Sequence, residues 1–134
     1  MSQASVDLVL AWLAAYNSKD YDAAVDLCSP DVEAFPDASV FPEAVPVSGR
    51  DDLRVALGEY DAAWVSAHYA TREVIDLEDD RVLTRGDWGG KGIESGIEIS
   101  QDLNVIFAVR NEQIVRIEWL FDADKALKAA GLAG

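Results

Sequence analysis

A chain of 134 residues has room for one domain around a single core, and its 50% hydrophobic content excludes a disordered or fibrous polypeptide. The formal charge of −14, from 25 acidic against 11 basic residues, sets the surface against nucleic-acid backbones and anionic membranes. One cysteine, Cys28, and one histidine, His68, leave neither an internal disulfide nor a recognisable metal-ligand spacing, so no metal and no cofactor are expected.

The N-terminus carries Asp7 within its apolar run and has no basic leader. No apolar stretch approaches the ~20 residues that span a bilayer, so the expectation is a cytoplasmic protein with no membrane partner. From Ser5, Val6, Val9, Leu10, Leu13 and Tyr16 recur at spacings of three and four, with Trp12 beside the stripe. That period predicts a helix ending near Asn17-Ser18. A second helix is predicted from Asp20 to Cys28, stopped by Ser29-Pro30.

From Val32 to Val47 the chain is short, aromatic and broken by Pro36, Pro42 and Pro46. It reads as a brief strand at Val32 to Phe35 followed by an irregular rim that carries Asp37. A third helix starts at Gly49-Arg50, with Asp51 and Asp52 suited to its positive end, and runs to about Ala63. Strands are predicted from Trp64 to Leu77 and from Arg81 to Trp88, joined by the turn at Glu78-Asp79-Asp80. The glycines at 86, 89, 90, 92 and 96 then loosen the connection into the hairpin that begins at Ile97.

Ile97 to Phe121 carries the strongest signal in the chain. Ile97, Ile99, Leu103, Val105, Phe107 and Val109 share one parity before Arg110-Asn111-Glu112-Gln113, and Ile117, Trp119 and Phe121 share one parity after it. This is an antiparallel hairpin with one covered face. A short helix from Asp122 to Leu132, with Ala126, Leu127 and Ala130 inward, closes the chain at Gly131. The order predicts one α+β domain over residues 1–134, with helices laid on one face of a curved antiparallel sheet.

Three stretches carry a resemblance: AWLAAYNSKDYDAAVDLCSPDV, GRDDLRVAL and NEQIVRIEWLFDADKALKAAGL. Their succession resembles the SnoaL-like and ketosteroid-isomerase-like families of the nuclear transport factor 2-like superfamily. The resemblance implies a cone-shaped fold, with the sheet wrapped around the N-terminal helices and an internal pocket. It also implies where acids should stand. The helix-one Tyr of the ketosteroid isomerases falls on Trp12, their general base falls on about Pro36 beside Asp37, and their oxyanion-hole Asp falls near Val105. The Asp of the polyketide cyclases falls on Trp119. The Arg-x-Asp of limonene-epoxide-hydrolase-like members is matched by Arg85-Gly86-Asp87, although their second Asp again falls on Trp119 and their Tyr/Asn pair falls near Ala34 and Pro36.

Arg85 and Asp87, two apart on a strand, share a face, and the Arg would keep the carboxylate ionised as a general base. Their alternative is a solvated surface pair. Trp12, Tyr16, Trp64, His68, Val105, Phe107, Trp119 and Phe121 are the candidate ligand contacts, forming a pocket for a small apolar molecule. As core side chains they would instead fill it themselves.

Two functions are compatible with these residues. One is a cofactor-free isomerase, cyclase or epoxide-hydrolase-like enzyme with Asp87 as base and Arg85 as its partner. The other is a non-catalytic ligand-binding or interaction domain. Outward-facing Ile106 and Leu120 further suggest a homodimer through the outer sheet face.

Overall fold

The structure is a computed structural model that describes residues 3–40, 44–77 and 79–132. Helix α1 (Gln3–Asn17) buries Val9, Leu13 and Tyr16 as the spacing predicts, but Trp12 joins that buried stripe while Leu10, expected on it, is 42% exposed. Its end is a left-handed Lys19 at φ 60°, and Asp20 caps α2 (Tyr21–Asp26) by accepting from the Ala23 N–H. Helix α3 (Arg50–Asp61) lays Leu53, Ala56, Leu57 and Asp61 inward.

Six strands lie in the order β2-β1-β6-β5-β4-β3, where β1 is Cys28–Phe35, β2 Val47–Ser48, β3 Trp64–Asp76, β4 Arg81–Gly92, β5 Glu98–Arg110 and β6 Gln113–Leu120. All neighbours run antiparallel except β1 and β6, which pair parallel across an irregularity between Cys28 and Glu33. That irregularity accommodates Pro30, so β1 starts earlier than the sequence suggested. Strand β4 also outlasts its predicted end. The glycine-rich stretch stays paired with β5 through Lys91↔Glu98. Asn111 and Glu112, at φ 53° and 63°, close the β5–β6 hairpin in the doubly left-handed geometry that suits a two-residue loop.

One sheet face holds the main core, where Val82, Leu103, Val105, Phe107 and Ile117 meet α1 and α3. Bulges in β3 and β6 bend the sheet around those helices, giving the cone-shaped α+β architecture with helices on the concave side.

Helix α4 (Ala123–Ala130) departs from expectation. Ala130 packs on Leu83 and Ile106, with Leu120 beside them, on the face opposite the main core. Arg81 fixes it there by donating to the Ala129 and Ala130 carbonyls at 2.8 and 3.2 Å. Ile106 is therefore only 4% exposed, covered by the chain's own helix. The apolar reason for expecting a homodimer through this face is removed, and the face around it carries Arg72, Asp87, Asp102 and Arg116 instead. Among the described residues no helix is long and apolar enough to cross a membrane.

Candidate functional site

Between the helices and the concave face lies a cavity of about 580 Å³. Trp12 and Tyr16 from α1, Tyr60 from α3, Trp64 from β3, Trp88 from β4 and Trp119 from β6 supply aromatic wall. The rings brace one another. Trp64 meets Trp88 edge-on at 5.3 Å between centroids, Tyr60 meets Trp119 at 5.9 Å, and Trp12 stacks with Tyr16 at 6.0 Å.

Among the described residues, two buried carboxylates with ordered partners line this cavity, Asp61 at its inner end and Asp37 at its rim. Asp61, 8% exposed, ends the buried stripe of α3 and lines the cavity. Its Oδ1 accepts the Tyr16 hydroxyl at 2.8 Å, and its Oδ2 accepts the Tyr21 hydroxyl at 2.5 Å and Lys19 Nζ at 3.1 Å. The Trp88 indole N–H donates to Tyr16 Oη at 2.9 Å, so a chain of hydrogen bonds runs from Trp88 through Tyr16 to Asp61. Lys19 Nζ also sits 4.8 Å from the Tyr16 ring centroid and donates to the Ala67 carbonyl.

Burial holds the Tyr16 hydroxyl far above the usual phenol range, with the Asp61 charge adding to it and the Trp88 bond opposing. Burial also raises Tyr21, reinforced by its bond to Asp61 and by that charge. Both hydroxyls stay protonated and act as donors. Tyr69 forms the floor. It gives its hydroxyl to the Leu103 carbonyl at 2.9 Å, and burial pushes that hydroxyl up to about 12.

Asp37 closes the rim. Its Oδ1 takes the Ser39 backbone N–H and hydroxyl, and its Oδ2 takes the Phe121 N–H at 3.0 Å. Burial works against the charged carboxylate, but the bonds from Ser39 and Phe121 outweigh it and hold the group below the usual carboxylate range. Among the described residues no cluster of three His, Cys, Asp or Glu side chains could hold a metal ion.

The sequence model of the SnoaL-like domain matches residues 9–117. The chain belongs to the SnoaL-like domain family. No curated protein matches the sequence.

Solved structures share its fold. A hypothetical protein with a ketosteroid isomerase-like fold from Catenulispora acidiphila, in complex with trimethylamine, is 19% identical, with 94% of this chain and 93% of that one covered at a TM-score of 0.76. TerC, co-crystallised with polyporic acid, is 19% identical over 96% and 99% of the two chains at 0.79. An NTF2-like protein of unknown function from Burkholderia pseudomallei is 18% identical over 96% and 97% at 0.77. At these identities the likeness is one of fold.

Within this SnoaL-like domain, Trp12, Tyr16, Trp64, Val105, Trp119 and Phe121 line the cavity. His68 and Phe107 do not. Ser66, left-handed at φ 57°, is the extra residue of a bulge that brings both Trp64 and Ala67 to the inner face. Uninterrupted alternation from Trp64 would have carried His68 inward, and the bulge leaves it exposed. Phe107 is fully buried behind Trp12, with the ring centroids 5.5 Å apart.

Arg85 and Asp87 share a face, but it is the face away from the cavity. The ladder pairs Arg85 with Asn104 and Asp87 with Asp102, and opposite residues project the same way. Asp87 is held by Arg72 at 3.1 Å with 45% of its side chain exposed, while Arg85 reaches Glu73 at 3.7 Å. The constrained member of that triplet is the middle one. A Cβ on Gly86 would stand 2.3 Å from the Ala70 carbonyl oxygen and 3.0 Å from the Tyr69 ring.

Sequence reading missed Asp61 and Trp88. A signal for Asp61 was present, since Leu53, Leu57 and Asp61 are spaced by four on one helix stripe, and a carboxylate in the last turn opposes the helix dipole. Trp88 was read as the end of its strand, whereas that strand continues to Gly92.

Proposed function

We propose that this SnoaL-like domain takes a small, apolar, ring-bearing molecule into the cavity and acts on it as a cofactor-free isomerase or cyclase. Asp61 is the proton acceptor in this reading, and Tyr16 is the relay. The observation that carries it is a buried carboxylate lining an aromatic-walled cavity and hydrogen-bonded there to Tyr16. A substrate proton passes to Tyr16 Oη as the Tyr16 hydrogen passes to Asp61 Oδ1, so no phenolate forms. Trp88 holds the Tyr16 oxygen in place from the other side. Return of the proton to a different atom completes an isomerisation, whereas attack by the resulting carbanion on a carbonyl carbon of the same molecule opens that C=O π bond, and its oxygen takes the proton back to complete a cyclisation. Trimethylamine in the Catenulispora relative and polyporic acid with TerC support the idea that cavities of this fold accept small organic molecules.

A second reading, a binding domain without turnover, is favoured by the fact that both Asp61 oxygens are already engaged by the protein. Titration with small aromatic ketones, followed by the fluorescence of the cavity tryptophans, identifies binders for both readings. Turnover of a binder that falls ~10²- to 10⁴-fold in Asp61→Asn supports the enzyme. Binding with no turnover in either protein supports the binding domain.

A further inference from the structure

We propose that the Oδ2 side of Asp61 is the proton exit of the cavity, with Tyr21 and Lys19 connecting it to bulk water. The proposal rests on Asp61 being the proton acceptor. Its two oxygens face different neighbours. Oδ1 bonds Tyr16, which lines the cavity, whereas Oδ2 bonds Tyr21 and Lys19, which do not. Lys19 keeps 37% of its side chain in solvent, and Tyr21, at the first position of α2, is partly exposed. Asp61 itself is 8% exposed, so with a ligand filling the cavity it has no direct contact with water through that side.

Backbone geometry converges on the same point. Lys19 and Ser66 are both left-handed residues other than glycine, at φ 60° and 57°. Such positions are strained and persist where surrounding structure enforces them. The Ser66 bulge leads directly to Ala67, whose carbonyl receives Lys19 Nζ, while the turn at Lys19 brings that same ammonium to Asp61. Lys19 thus ties the strand just past the Ser66 bulge to the outer side of one carboxylate.

The step balances without a further reactant. Asp61, protonated on Oδ1, turns its carboxyl so that this hydrogen faces Tyr21 and gives it to Tyr21 Oη as Tyr21, with its hydroxyl turned outward, gives its own hydrogen to a surface water. Asp61 returns to the carboxylate, Tyr21 remains neutral, and the proton leaves as hydronium. Burial and the Asp61 charge keep Tyr21 from ionising, which favours this concerted exchange over a phenolate intermediate. Lys19 is a positioning residue that keeps the Asp61 carboxyl at the exit.

The test is the exchange of the Tyr16 hydroxyl hydrogen with water, measured by magnetisation transfer in proton NMR with the cavity filled by toluene. Without a substrate this exchange runs by brief transfer of that hydrogen to Asp61 Oδ1 and return of another by the same route. Exchange is expected to persist in the wild type, to fall at least tenfold in Tyr21→Phe combined with Lys19→Met, and to stay within twofold in His68→Gln. A double variant exchanging at the wild-type rate overturns the proposal, as does abolition of wild-type exchange by toluene alone. If the double variant does not fold, Tyr21→Phe alone is judged by the same criterion. No turnover is involved, so a non-catalytic Asp61 and a closed exit give different results: the former appears only in turnover and the latter only in exchange.

Discussion

Tyr16 reaches across from α1 to donate its hydroxyl hydrogen to Oδ1 of Asp61, 45 residues further along, at 2.8 Å. The pair joins the first helix to the end of the third and gives the cavity its polar end. In Tyr16→Phe, Asp61 loses one donor and the Trp88 N–H loses its acceptor. A buried hydrogen-bonding group left unsatisfied costs ~1–3 kcal/mol, so a loss of about 2 kcal/mol is expected in denaturant unfolding. A loss under ~0.5 kcal/mol would mean that water replaces the hydroxyl and the network is not a structural unit.

Asp37 makes the rim sensitive to acid. Its carboxylate pKa is lower folded than unfolded, so its contribution to stability is complete above the ordinary carboxylate value and is lost as pH falls through the depressed folded value. Asp37→Asn should therefore be less stable than the wild type by ~1–3 kcal/mol at pH 7, with the gap closing as the pH drops below about 4. Melting temperatures from pH 2 to 7 measure this. A gap that widens in acid would contradict the sign.

Gly86→Ala should be damaging although the site is a strand and the change is small. The new methyl meets the Ala70 backbone at 2.3 Å, and a strand partner cannot withdraw without breaking its ladder. Overpacking of this kind costs ~1–3 kcal/mol, read as a shift of the unfolding midpoint. An unchanged midpoint would show that β3 and β4 are looser here than the register implies.

Asp87→Asn should be nearly silent. The residue is paired on the surface with Arg72, and exposed pairs contribute ~0–1 kcal/mol. Turnover of any substrate found for the cavity should stay within twofold of the wild type. A loss of tenfold or more would place Asp87 in the chemistry despite its outward position.

The fold was legible because it is written in period. Helix α1 and the alternating arms of the last hairpin appear in the structure at their predicted places, the buried stripe of α1 differing in taking Trp12 rather than Leu10. The site was legible where alternation ran unbroken, as for Val105, Trp119 and Phe121. It was not legible at His68, because a bulge is a backbone event that Ser66 does not announce by residue type. Asp87 was misplaced for another reason. Arg-x-Asp fixes that two side chains share a face, but only the register with Asp102 says which face that is. Asp61 and Tyr21 are partners across 40 residues, and no local pattern encodes such a pairing.

The central claim, that Asp61 moves protons for a ligand in the cavity, is tested most directly by deuterium incorporation at the carbon next to the carbonyl of 2-tetralone in D2O. The wild type is expected to accelerate incorporation over buffer, Asp61→Asn to lose that acceleration by ~10²- to 10⁴-fold, and Asp87→Asn to retain it. Equal acceleration by the wild type and Asp61→Asn would contradict the account.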